Sequence, residues 1–318
     1  MAIALIKVKK DEENVRLDRW FKRHFPELSH VSIEKALRKG NIRINGKRAK
    51  SALRLKYNDE IKVPEFLLKL ANKPDNLEEK KKEFKPSPAQ LEMLKKNILY
   101  KNDDILIINK PAGLAVQGGS KINISVDHLL DTIKFDNTQR PKLVHRLDKD
   151  TSGILLLARS SNQATKIIQL FKDKKIVKEY LAVIVGKLPL KKGRIDLNLE
   201  KKSANYEKVE VSEDGLFAIT DYEVLETLGK EASLVKLMPI TGRTHQLRVH
   251  MQAMNCPILG DGKYGGNLAF IDGCKTKLHL HAYKITIPLE NAKPLIVTAP
   301  IPEHIKATFE YFNKSTAF

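Results

Sequence analysis

The chain is 318 residues long, 42% hydrophobic and 6% aromatic, and it carries a formal net charge of +19. That length suits two domains of about 100–200 residues each, and the scarcity of aromatic residues argues against a carbohydrate groove built on stacked rings. No run approaches the roughly 18 apolar residues of a membrane span, and two cysteines, Cys256 and Cys274, exclude a disulfide framework and fit a reducing compartment.

The opening run, Met1 to Val8, is too short for a secretory signal, and Asp11, Glu12 and Glu13 follow at once, which a transit peptide avoids. A soluble cytoplasmic protein, monomeric, is expected. Val15 to Pro64 reads as a first small unit. Leu17, Trp20, Phe21 and Phe25 fall near helical spacing and predict an amphipathic helix. A second helix is expected from Ser32, a good N-cap, through Ile33, Ala36 and Leu37 to Gly40, a good stop. Lys35, Arg38 and Lys39 lie off its apolar stripe. Ile42 and Ile44 then alternate with Arg43, and Asn45-Gly46 is a strong hairpin signal that leaves Lys47, Arg48 and Lys50 beside the turn. Residues 1–64 hold 17 Lys/Arg against 8 Asp/Glu, a net of +9, so almost half of the excess lies in a fifth of the chain. A concentrated patch of this kind points to a phosphate backbone more than an even solubility charge does.

Two short helices followed by the hairpin L-R-K-G-N-I-R-I-N-G-K resemble an S4 RNA-binding domain over roughly residues 15–64. The resemblance implies a module that lays Lys35, Arg38, Lys39, Arg43, Lys47 and Arg48 along RNA. Such contacts position phosphates but read little sequence. The alternative is a solvated charged face.

Residues 65–95 are expected to be a linker, because Lys80-Lys81-Lys82 and Pro86-Ser87-Pro88 interrupt a polar stretch. Residues 96–318 form the second expected unit. Strands are predicted over Ile105–Ile108, Ile154–Ala158, Tyr180–Val185, Ile219–Leu225, Leu234–Met238 and Leu278–Ile287. Helices are predicted over Ala164–Phe171 and His245–Met254. Strands outnumber helices and several pairs look hairpin-connected. This predicts an α+β domain with a mixed, mostly antiparallel sheet, and argues against a doubly wound parallel one.

The segment most informative for chemistry is His145-Arg-Leu-Asp-Lys-Asp-Thr-Ser-Gly-Ile-Leu-Leu-Leu-Ala158, a polar loop running into an apolar strand. Asp148 stands between Arg146 and Lys149, and nearby cations keep a carboxylate ionised, as a nucleophile or base requires. On composition alone a salt-bridged surface turn is the commoner reading, because most aspartates in such turns are structural. His145 reads as a general base or as an orienting group. Asp148 with Asp150 could form a glycosidase acid–base pair, but both sit in one loop among cations. Gly113 to Ser120 nearly copies a phosphate-binding loop, with glycine in place of its lysine. His279, His281 and Cys274 could suggest zinc, yet the period of two in Leu278-His-Leu-His-Ala fits a half-exposed strand. No metal and no cofactor is expected.

The loop H-R-L-D-K-D-T-S-G resembles the active-site loop of the RluA-type pseudouridine synthases. Three further segments agree in order: Asn109-Lys-Pro-Ala-Gly-Leu-Ala-Val116, Lys178-Glu-Tyr-Leu-Ala-Val-Ile-Val-Gly186, and Thr241-Gly-Arg-Thr-His-Gln-Leu-Arg-Val-His250 followed by Pro257 to Gly265. The likeness covers about residues 97–310 and is strongest to the branch acting on large-subunit ribosomal RNA. It implies a pseudouridine synthase fold and cofactor-free isomerisation of uridine in structured RNA. It further implies Asp148 as the essential aspartate, Arg146 in the gap left by the extruded nucleotide, Tyr180 against the flipped uracil, Arg243 paired with Asp148, and Leu247 as an apolar contact. Gln117-Gly-Gly departs from the His-Pro-Gly of many members, so Gln117 is given no role. The alternatives are the same activity on transfer RNA, a non-catalytic S4-type RNA-binding protein of the ribosome, and a nucleic-acid glycosylase that would release its base.

Overall fold

A computed structural model describes residues 3–71, 86–118, 122, 124–202, 208–290 and 292–314. The chain divides into two compact units, residues 1–84 and 85–318.

The first unit holds β1 (Ile3–Lys7), α1 (Leu17–His24), α2 (His30–Arg38), β2 (Arg43–Ile44), β3 (Lys47–Arg48), β4 (Glu60–Pro64) and α3 (Glu65–Ala71). Its four strands run in the order β1-β4-β2-β3 with antiparallel neighbours. Leu17, Trp20 and Phe21 from α1, Ile33, Ala36 and Leu37 from α2, and Ile42, Ile61 and Val63 share one core. Asn45 and Gly46 both have positive φ, 48° and 75°, the backbone a tight two-residue hairpin requires. The start of α2 differs from expectation. Ser29, not Ser32, is the N-cap, and its Oγ accepts from the Ser32 amide at 3.1 Å. Ser32 therefore sits at the third helical position, where a cap delivers its bond. The unit also begins at β1, before Val15, because β1 pairs with β4 along its length.

Both ends of the expected linker are helical. Leu67 of α3 is buried in the first unit's core. Pro88 opens α4 (Pro88–Lys96) in its first turn, where its missing N–H costs nothing, and Ser87 caps the helix. Lys80, Lys81 and Lys82 lie outside the described residues.

The second unit continues with β5 (Ile98–Lys101), β6 (Ile105–Lys110), α5 (Val126–Leu129), β7 (Lys142–Leu143), β8 (Ser152–Ala158), α6 (Ser161–Lys172) and β9 (Val177–Val185). Then come β10 (Lys192–Asp196), β11 (Leu199–Lys201), β12 (Val209–Val211), β13 (Ile219–Leu228), β14 (Ala232–Pro239), α7 (Gln246–Ala253), β15 (Leu280–Leu289), β16 (Ala292–Thr298) and α8 (Glu303–Tyr311). Among the described residues, ten strands form one sheet in the order β10-β13-β14-β9-β15-β8-β6-β5, with β16 against β15 and β7 against β8. The sheet is mixed and mostly antiparallel, as the strand pattern predicts. Its parallel pair is β8 with β15, through Ser152–His281 and Gly153–Ala282. On its other side β15 pairs antiparallel with β9. So β8 and β9, adjacent in sequence and joined by α6, are separated in the sheet by a strand from near the C-terminal end. All seven residues of β8 are buried, which is why it reads as an unbroken apolar run rather than an alternation. No helix among the described residues is long and apolar enough to cross a membrane.

Candidate active site

Asp148 lies in the loop between β7 and β8, and the loop is held from below. The fully buried Lys110, at the end of β6, donates from Nζ to the carbonyls of Lys149 at 3.0 Å, Leu114 at 2.8 Å and Pro111 at 3.0 Å. Burial pushes its ammonium down to about 8, against the pull of Asp150 and Asp148. The amide of Gly113 donates to the same Lys149 carbonyl at 2.9 Å. The Asn-Lys-Pro-Ala-Gly segment is thus a clamp on the loop that carries Asp148. The resemblance of residues 113–120 to a phosphate loop has no further support in Gly113, and Gly119 and Ser120 lie outside the described residues. Where the loop enters β8, Gly153 has φ +106°, and a Cβ there would stand 2.3 Å from the carbonyl oxygen of Ala282. Only glycine lets β8 and β15 approach so closely.

His145 is tied to β8 and α6. Its Nε2 accepts from the Leu156 amide at 2.8 Å and its ring packs on Phe171. Desolvation, then the charge of Lys178, pushes its pKa down, so the imidazole stays neutral. His279 and His281 are fully buried and engaged elsewhere. His279 bonds the Lys277 carbonyl and Thr308, and His281 bonds Ser152.

The third motif forms the turn between β14 and α7, and its spacing has a mechanical reason. Gln246, buried, accepts at Oε1 from the Arg243 amide at 3.0 Å and the Thr241 hydroxyl at 2.7 Å. Its Nε2 donates to the Ile219 carbonyl at 2.8 Å and to Thr220 at 3.0 Å, which pins the turn to β13. His250, one turn further along α7, bonds Thr220. Arg248 makes a buried two-bond pair with Asp261, at 2.8 and 2.6 Å. Its guanidinium also lies 5.0 Å from the centre of the Tyr264 ring. Thr241, Gln246, Arg248 and His250 thus build the frame, and all but His250 also line the cavity beside Arg243, His245 and Leu247.

That cavity, about 550 Å³, brings together Asp148, Arg146, Tyr180, Arg243, His245 and Leu247. Tyr180, on β9, is buried, and burial followed by the charge of Asp148 raises its phenol well above the usual range, so it keeps its proton. Leu247 is buried and Arg146 is exposed at the rim. The Asp148 side chain is 19% exposed. Its one ion-pair contact among the described residues is His245 Nε2 at 3.9 Å. The pairing of Arg243 with Asp148 implied by the family resemblance is not formed. The Arg243 Nε donates instead to the Phe217 carbonyl at 3.0 Å, which holds the guanidinium at the rim. In the first unit, Lys35, Arg38, Lys39, Arg43, Lys47 and Arg48 are all exposed on α2 and the β2–β3 hairpin, and none has an ion-pair partner among the described residues.

The family model for RNA pseudouridylate synthase matches residues 104–253, which contain every cavity residue above. The ribosomal large subunit pseudouridine synthase C of Rickettsia felis is 41% identical over 257 residues, covering 79% of this chain and 81% of that protein. The chain belongs to the RNA pseudouridylate synthase family. The namesake protein of Pasteurella multocida is 33% identical across 96% of this chain and 92% of its own length, so this family likeness extends through the first unit. Among solved structures, human RNA pseudouridylate synthase domain containing 4 aligns with a TM-score of 0.59 at 28% identity, covering 71% of this chain and 96% of that one. As a family member, the chain is an RNA-modifying isomerase with the pseudouridine synthase fold.

Sequence reasoning passed over Lys110, His245, Gln246, Arg248, Asp261 and Tyr264. All six stand inside the motifs that carry the family resemblance, but spacing does not separate a residue that faces the cavity from one that holds the frame. The signal that could have marked Lys110 is a lone cation ending the apolar run Ile105–Ile108. A charge there is rarely buried unless it is fully partnered.

Proposed function

We propose that the chain converts uridine to pseudouridine in large-subunit ribosomal RNA, with Asp148 as the carboxylate that acts on the nucleotide. One observation carries the assignment. A half-buried carboxylate, with no lysine or arginine ion-pair partner among the described residues and His245 3.9 Å away, lines a cavity that the Tyr180 ring and Leu247 also line. Its volume, about 550 Å³, lies in the range of small-ligand pockets. A base within a helix cannot reach Asp148, so it must be extruded, at a cost of a few kcal/mol. The exposed, planar, hydrogen-bond-rich head of Arg146 is suited to occupy the vacated place. Tyr180 presents a neutral ring to the uracil. The N1–C1′ bond breaks, the uracil turns, and C5 joins C1′. The C5 hydrogen leaves and N1 takes up a proton, so the formula is unchanged. An ionised carboxylate serves such a reaction as nucleophile or base. Arg243, at the rim, supplies a cation for charge gathering in the site. The first unit acts as an S4-like RNA-binding module, its six exposed cations at α2 and the hairpin gripping phosphates. The choice of ribosomal RNA rests on the named activity of the Rickettsia and Pasteurella relatives.

Asp148→Asn keeps shape but not charge. The single-turnover rate on target RNA is expected to fall by at least ~10³-fold, the scale of losing a catalytic group, with RNA affinity nearly unchanged. Turnover above a few per cent of wild type overturns the role of Asp148. Carbodiimide mapping of total RNA from cells with and without the gene tests the substrate: sites lost only from transfer RNA refute the ribosomal assignment.

A further inference from the structure

His245 occupies an unusual place. It precedes α7 with φ 53° and ψ 18°, the left-handed region that a side chain with a Cβ seldom adopts. Strain of that kind persists only where the surroundings impose it, and it gathers at functional sites. Here the surroundings are explicit. Nδ1 lies 2.6 Å from the hydroxyl of Tyr264, and Nε2 lies 3.9 Å from Asp148 Oδ1. Tyr264 is buried, and its oxygen accepts from the Val209 amide at 3.1 Å. Its amide bonds Asp261, the partner of Arg248.

The bonding leaves one consistent arrangement of hydrogens. The Tyr264 oxygen accepts from Val209, and among the described residues Nδ1 is the acceptor within reach of its own proton. Nε2 then carries the imidazole hydrogen and points it at the carboxylate. The opposite tautomer would leave the tyrosine proton without an acceptor here and set the Nε2 lone pair against those of Asp148. Desolvation holds the imidazole neutral, with the charge of Asp148 opposing it. The gap to Asp148 is longer than a hydrogen bond, but catalytic contacts commonly tighten only once substrate is bound.

We propose that His245 is a positioning residue for Asp148: a neutral imidazole, fixed in its Nε2–H tautomer by the Tyr264 hydroxyl, that closes onto the carboxylate when the extruded base fills the cavity. A neutral donor aims the carboxylate without cancelling its charge, as a cationic partner in direct contact would. Bonds run from the Val209 amide through Tyr264 to His245, which faces Asp148, so the small β11–β12 pair takes part in setting the carboxylate's direction. This proposal rests on Asp148 being the acting carboxylate.

Two variants and one spectrum test it on the full chain. His245→Asn tolerates the left-handed backbone and can still meet Tyr264, but its amide is too short to reach Asp148. Tyr264→Phe keeps the ring and removes only the hydroxyl. Each is expected to lower the single-turnover rate at saturating enzyme, by about 30-fold and about tenfold, within the ~10²-fold range of a misdirected catalytic group. RNA affinity and melting temperature should hold close to wild type. Imidazole ¹⁵N shifts of the wild-type protein, with His245 assigned by its loss in His245→Asn or its shift in Tyr264→Phe, should report the neutral Nε2–H form, with the lock lost in Tyr264→Phe. A rate within threefold of wild type in His245→Asn overturns the proposal, as does a wild-type spectrum of the Nδ1–H form or the imidazolium. Asp148→Asn, run alongside, separates the two claims: activity surviving there removes Asp148 itself, whereas activity lost there but kept in His245→Asn removes only His245.

Discussion

Gly153→Ala puts one methyl group into the seam between β8 and β15. A Cβ at that position would meet the Ala282 carbonyl oxygen at 2.3 Å and the Ala282 nitrogen at 2.7 Å, where ordinary contact begins near 3.4 Å. The strands must therefore part by about 1 Å, or β8 must turn its backbone away. Overpacking of this kind costs roughly 1–3 kcal/mol. Forcing a side chain into φ +106° adds roughly 1–3 kcal/mol more. At ~2–4 °C per kcal/mol for a unit of this size, the melting temperature should fall by roughly 5–20 °C. The catalytic consequence is separate. Asp148 is five residues before Gly153 in sequence and its loop runs directly into β8, so a shift of about 1 Å should cost ~10²-fold in single-turnover rate. Gly113→Ala is the control. Gly113 also has positive φ, +86°, but no atom within 4 Å of the added carbon, so it carries strain without the clash. A circular dichroism melt and a saturating single-turnover assay measure both effects. Gly153→Ala melting within ~2 °C of wild type and turning over within threefold would show that the seam is not tight, and the reasoning from close approach would fail.

Two further outcomes follow from charge. His279 and His281 are fully buried, and burial lowers both to about 4. The unfolded chain takes up those protons as pH falls through about 6.5, while the folded state resists until about 4, so stability should drop on acidification across that window. The slope is up to about 1.4 kcal/mol per pH unit for each histidine, or about 3 kcal/mol for the pair between pH 6.5 and 5. Urea unfolding at those two pH values checks it, and equal stabilities would contradict it. Removing the first unit, whose residues 1–64 hold a net charge of +9, should weaken binding to target RNA and flatten its salt dependence. Each lost phosphate contact lowers the slope of log affinity against log salt by roughly 0.7–0.9. An unchanged slope would mean that Lys35, Arg38, Lys39, Arg43, Lys47 and Arg48 form only a solvated face.

Strands of the second unit were legible where burial is one-sided or complete, because a period of two or an unbroken apolar run follows directly from it. Ile105–Ile108 and Ile154–Ala158 are of this kind. The edge strands β1 and β16 and the short β11–β12 pair were not legible. β1 is apolar except at Lys7 and exposes Leu5, so it shows no alternation, and β11 and β12 are too short to show one; pairing rather than pattern makes them strands. Ser32 was mistaken for a cap because Ser29 and Ser32 are both acceptable caps, and the choice depends on where the chain turns after Pro26. In the site, the motifs single out Asp148, Tyr180, Arg146, Arg243 and Leu247, and these five line one cavity. Partners were not readable. Arg243 turns to the Phe217 carbonyl and Arg248 to Asp261, in a turn that Gln246 of α7 ties to Ile219 of β13, and such contacts between elements distant in sequence leave no local pattern.

The place of β15 bears on how the protein is made. Asp148 hangs from the half of the sheet that contains β8, and Tyr180 stands on the half that contains β9. Within the sheet only β15, among the described strands, joins the two. A growing chain that has been synthesised as far as Lys277 already holds Arg146, Asp148, Tyr180, Arg243, His245 and Leu247, yet the wall between its two halves is missing. Ser152 must wait for His281, 129 positions later, before the seam can close. Contacts so distant in sequence form late because the intervening loop must first be closed. The cavity is therefore completed in one step with the insertion of β15 rather than growing as its lining residues appear, and a chain cut short before that strand is expected to be inert while carrying all six of them.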